Sequence, residues 1–127
     1  MMNRRQSEAA LRYADRRRRE DEAPRLITEV PHLDSLRLEL VEGRLDAPGS
    51  EGAHVRKVVV ATAPALFEIL CQDAACRDGG HDLTGVFLRA LRAGTTRFQG
   101  EDSCRGQVGS AACRRTLRFV GLATYRP

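Results

Sequence analysis

Four cysteines sit in two polar, glycine-bearing loops, "CQDAACRDGGH" at 71–81 and "SCRGQVGSAAC" at 103–113. A metal site built from them requires a fold that brings those loops together. Otherwise it leaves thiols among Asp, Arg, Gly and Ser neighbours, where a small buried hydrophobe has no purpose. The spacing is Cys71-x4-Cys76-x27-Cys104-x8-Cys113, and four residues separate Cys76 from His81. Zinc takes thiolate or imidazole ligands in a tetrahedron, and two loops that each bring a pair can supply them. Cys71, Cys76, His81, Cys104 and Cys113 are therefore the candidate ligands. Cys76, Cys104 and Cys113 come first, with Cys71 and His81 competing for the fourth place. Two other readings stay open: unligated thiols, and one or two disulfides. Cys71, in phase with Phe67 and Ile69, reads most like core. His81, just before a helix start, also reads as a plain capping neighbour.

The rest of the chain supplies the frame for these loops. "SLRLELVEG" alternates Leu36, Leu38 and Leu40 against Arg37 and Glu39, which predicts a half-buried strand. "RLDAPGSEGA" is a loop, and the β-branched "HVRKVVVAT" is the strand that returns from it. After Pro64, "LFEILC" reads as a third short strand ending at Cys71. "DLTGVFLRALRAG" is the helix, with Asp82 as N-cap, Leu83, Val86, Phe87, Ala90 and Leu91 as its apolar stripe, and Gly94 just past its end. "TTRFQG" and "TLRFVGLATY" are two further strands, and Val120 and Leu122 make the last one apolar enough on both faces to be central. The order is β-β-β-α-β-β. This is an α+β fold in which one helix covers a small, mostly antiparallel sheet beside the metal site.

Each cysteine pair follows an expected strand. Over 67–119 the arrangement resembles the two-knuckle plan of zinc ribbons, with a helix inserted between the knuckles. The resemblance implies a structural zinc. It departs from that pattern in spacing, because neither pair is Cys-x2-Cys and the second needs a true loop.

Charge is polarised along the chain. Residues 1–25 carry eight Arg against five acids, 26–96 seven basic against ten acidic residues, and 97–127 six Arg against two acids. Twenty of the 21 basic residues are Arg, a bias that a GC-rich genome gives whatever the protein binds. The segment contrast is the better pointer to an anionic partner. Residues 1–25 read as a charged arm, helical or disordered, and 26–127 as the zinc-binding α+β domain. The arm residues Arg16, Arg17, Arg18 and Arg19 and the C-terminal Arg105, Arg114, Arg115 and Arg118 are the candidate phosphate contacts.

Several classes fall away. No apolar run approaches the roughly 20 residues of a membrane span. The arginine-bearing start has no hydrophobic stretch behind it, so the chain is expected to be cytoplasmic, where thiols stay reduced. A thiolate–His81–Asp82 relay would need neighbouring side chains to converge, and neither a phosphate-binding Gly loop nor the deaminase His-x-Glu and Pro-Cys-x2-Cys signature is present. The sequence thus predicts a zinc-binding accessory or regulatory protein that contacts nucleic acid or a nucleic-acid machine. The alternative is a protein–protein interaction module with a purely structural zinc.

Overall fold

The leucine alternation is realised as β1 (Leu33–Arg44), whose Leu36, Leu38 and Leu40 are all buried. The computed structural model describes residues 4–44, 54–73 and 75–127. The loop expected at 44–53 lies outside them from residue 45 onward.

Strand β1 pairs antiparallel on one side with β2 (Val55–Val59) and on the other with β9 (Arg115–Tyr125). Strand β6 (Arg97–Ser103) pairs with the far side of β9. The resulting order, β2-β1-β9-β6, places β9 inside the sheet, as its two-sided apolar pattern predicts.

One face of this sheet is covered by α3 (Thr84–Arg92). Phe87 is the centre of the core, with ring centroids 5.0 Å from Phe67, 5.3 Å from Phe98 and 5.1 Å from Phe119, at tilted or edge-on angles. Leu83 and Leu91 are buried beside it, and α2 (Leu26–Glu29) adds Leu26 to the same cluster. The expected stripe needs one correction. Val86 faces solvent, and Leu88 packs against the core in its place.

The helix start also differs from expectation. Asp82 lies in β5 (His81–Asp82), and the helix begins at Thr84, although the Asp82 carboxylate still accepts the Thr84 N–H at 3.1 Å. The expected strand "LFEILC" shrinks to β3 (Glu68–Ile69), which pairs with β5 and not with the main sheet. The backbone around it is committed elsewhere. Ala65 N–H donates to the Pro24 carbonyl, Phe67 N–H to the Thr84 hydroxyl, and Leu83 N–H to the Phe67 carbonyl. Pro64 removes another donor.

The N-terminal segment forms α1 (Arg4–Glu22). Its charges meet at helical spacing, with Arg16 3.0 Å from Glu20 and Arg19 3.5 Å from Asp15. The helix also touches the cysteine region: Arg12 donates to the Cys76 carbonyl at 3.0 Å, and Arg19 pairs with Glu68 at 2.8 Å. Among the described residues, no helix is long and apolar enough to cross a membrane.

Candidate metal centre

The sheet has a second, differently built end, where β6 runs into Cys104 and Cys113 leads into β9. Three minimal strands stand there, β4 (Cys76–Arg77), β7 (Gln107–Val108) and β8 (Ala111–Ala112), joined in the order β4-β7-β8. The β7–β8 hairpin turns at Gly109, whose φ of 63° suits glycine. Backbone bonds anchor three of the four cysteines: Cys76 N–H donates to the Asp73 carbonyl, Cys104 N–H to that of Arg115, and Cys113 N–H to that of Gly106.

The Sγ atoms of Cys71, Cys76, Cys104 and Cys113 lie within 4.8 Å of one another. Cys76 and Cys104 are 3.6 Å apart, and Cys71 and Cys113 are 3.8 Å apart. A disulfide needs about 2.05 Å, so neither pair is bonded. Four thiolates around a metal at about 2.3 Å sit at tetrahedral edges of about 3.8 Å. The two short separations match that edge, and the residues fit a tetrahedral metal with four sulfur ligands.

Two glycines make room for this packing. A Cβ on Gly79 would come within 2.3 Å of the Cys76 sulfur, and one on Gly106 within 2.4 Å of the same atom. Any side chain there would occupy the space that the sulfurs use. The Gly80 N–H donates to the Cys104 sulfur at 3.2 Å, the kind of bond that favours a thiolate.

The electrostatics of the four thiols differ from one to the next. Burial pushes the Cys76 thiol up to about 12, with the neighbouring thiols Cys104 and Cys113 adding to it. Burial drives Cys71 up further still, and the charges of Cys104 and Glu42 reinforce it. Burial opposes ionisation of Cys104 too, but donors from Gly80 and Gly106 hold it below the usual thiol range. Cys104 is thus shifted toward the thiolate, and Cys71 and Cys76 away from it. A divalent ion bound among the sulfurs would favour the thiolate form of all four.

His81 lies outside the sulfur group. Its ring is buried with Nδ1 2.8 Å from an Asp102 oxygen and Nε2 3.6 Å from a Glu42 oxygen. Glu42 is fully buried and accepts from the Gln72 N–H at 3.2 Å and from the Arg115 guanidinium. Burial works against the Glu42 charge, but His81, Arg115 and the Gln72 amide outweigh it and hold its carboxyl below the usual range. Burial likewise opposes the His81 cation, and the two carboxylates raise it above the usual imidazole value. Cys71 Sγ lies 3.9 Å from Glu42 Oε1, so this ionic network abuts the sulfurs.

Sequence reasoning passed over Glu42 and Asp102. The signal for Glu42 was present: it continues the inward phase of Leu36, Leu38 and Leu40, where a lone carboxylate must find a cation. Cys71 also departs from its core-like reading, since it packs with the three buried cysteines and Val108.

The candidate arginines are dispersed. Arg16, Arg18 and Arg19 pair with acids, mostly within α1, and Arg115 serves Glu42. Arg17, Arg105, Arg114 and Arg118 are exposed, Arg105 and Arg114 each directly after a cysteine and Arg118 on the sheet. A groove of about 410 Å³ beside Gly79 and Gly80 carries Glu68, Asp78, Asp82 and Asp102 against Arg19 and Arg105, an acidic balance unsuited to phosphate. Compared with known proteins, the chain matches no family model, no curated protein and no solved structure. What the structure itself establishes is an α+β chain whose four cysteines form a cluster able to hold a metal.

Proposed function

We propose that the protein is a protein-interaction module stapled by one structural zinc. The observation that carries this reading is the convergence of four sulfurs from separate chain segments at the end of the sheet. Four protein ligands close a tetrahedral site and leave no position for substrate, which is the structural kind of zinc centre. Zinc fits a site of soft thiolates in a tetrahedron. The ion would tie β3, β4 and the β7–β8 hairpin to the start of β9, and Gly79, Gly106 and the Gly80 amide favour the thiolates that hold it.

Cobalt substitution tests the coordination. Co(II)-loaded protein should show the visible and thiolate charge-transfer bands of a tetrahedral tetrathiolate, and they should fade as zinc is added. An octahedral spectrum, or none, counts against the assignment.

A protein partner is favoured because Arg16, Arg18, Arg19 and Arg115 are already engaged by carboxylates inside the chain. Contact with nucleic acid is the second reading. It is supported by Arg77, Arg105 and Arg114, each exposed and each directly following a ligand cysteine. Titration against duplex DNA at several salt concentrations separates the two, because phosphate contacts release counterions and give a steep salt slope.

A further inference from the structure

We propose that the outer edge of β2 is a docking strip for an extended acidic segment of another protein, added to the sheet as a fifth strand. This rests on the interaction-module reading and names its surface. Strand β2 is terminal in the order β2-β1-β9-β6, and among the described residues no strand pairs with its outer edge. Its backbone groups there are a template for strand addition.

The side chains select the guest. Val55 is 40% exposed, Val58 69% and Val60 59%, while Arg56 and Lys57 stand exposed between the first two. The strand "VRKVV" contains no acid. A guest opposite it therefore needs apolar residues against the valines and carboxylates against Arg56 and Lys57.

The open face of the sheet repeats this chemistry. The register aligns Val58, Arg37, Leu122 and Arg97 in one row across the four strands. A groove of about 300 Å³ runs over Arg37, Arg56, Val58, Val120 and Leu122, with Glu39 on its wall. The apolar centre and cationic rim match a protein interface.

Two other occupants fit less well. A second copy would bring two Arg56 and two Lys57 into one short ribbon to which neither β2 strand adds an acid, the kind of arrangement that guards edges against self-pairing. Nucleic acid would lie on a face from which no strand projects an aromatic ring, so bases have nothing to stack on.

The probe is a fluorescein-labelled peptide, Thr-Val-Val-Glu-Glu-Val-Thr, titrated with the metal-loaded full chain and followed by anisotropy. It should bind, and the Arg56→Glu/Lys57→Glu protein should bind it about tenfold or more weakly. A peptide with both Glu replaced by Lys should fail on the native protein and recover on the reversed one. That swap is informative because it requires the variant to be folded. The proposal is overturned if the acidic peptide does not bind at millimolar protein, or binds both proteins equally. A native dimer abolished by the reversal also overturns it, as does duplex DNA binding that the reversal removes. If the peptide fails while a cellular protein is retained equally by native and reversed chains, the β2 assignment falls and the module reading stands. If only DNA is retained, both fall.

Discussion

The two ends of the main sheet are held by different forces. Under α3, Phe87 and its neighbouring rings and leucines form a dry core, and removing water from apolar surface is what holds it. At the cysteine end, β3, β4, β5, β7 and β8 have two residues each, and the buried groups are sulfurs and an ion network. Two-residue strands have almost no cooperativity of their own. One end is therefore self-sufficient, and on the proposed reading the other depends on a metal held by its four cysteines.

Metal removal should break this contrast most strongly. Site formation in small zinc domains is coupled to roughly 10 kcal/mol or more of binding free energy. Chelation under reducing conditions should therefore open 71–82 and 104–115 to hydrogen exchange while the centres of β1 and β9 stay protected. Uniform loss of protection would show that the ends are not separable. Second in size is Phe87→Ala, expected to cost about 3–5 kcal/mol in denaturant unfolding through the cavity it leaves. It should lower stability without changing metal per chain, the reverse of Cys104→Ser.

Glu42→Gln comes next. It leaves His81 and the Arg115 cation without their shared carboxylate, and losing one member of a buried ionic cluster costs about 3 kcal/mol. The same network sets a pH dependence. Glu42 is lowered, so its contribution is present above its ordinary value of 4.5 and lost as pH falls through the folded value. His81 is raised, so its contribution is complete below its ordinary 6.5 and lost as pH rises through the folded value. The contribution of this network to thermal stability should be greatest between these limits. The alkaline shoulder should disappear in His81→Gln, and a shoulder that survives would assign it to another group. Smallest is Arg19→Ala, which removes its pairs with the half-buried Glu68 and with Asp15 and should change stability by about 1 kcal/mol or less.

The dry end was legible because its elements are long enough to carry a period. Leu36, Leu38 and Leu40 announce β1, and Leu83, Phe87 and Leu91 announce the covered side of α3. Val86 shares that period, yet it faces solvent because Leu88 meets the core instead. At the metal end the cysteines were visible as residue types in polar loops, but which of them meet was not. The strands that join them are too short for any period. Cys71 was in phase with Phe67 and Ile69, and only the tertiary path of the chain carries it away to Cys113. His81 beside the loop looked like a ligand by spacing, whereas Asp102 and Glu42, distant in sequence, hold its ring. The arm shows the same limit. Its internal ion pairs follow from i,i+4 spacing, while the reach of Arg12 to Cys76 has no local cause.

The central claim is that four sulfurs hold one zinc ion, and its most direct test is elemental analysis of purified, reduced protein with parallel thiol alkylation. The account predicts one zinc per chain, with Cys71, Cys76, Cys104 and Cys113 protected from alkylation until a chelator is added. Metal-free protein whose four thiols all react at once, and which takes up no added zinc, would contradict it.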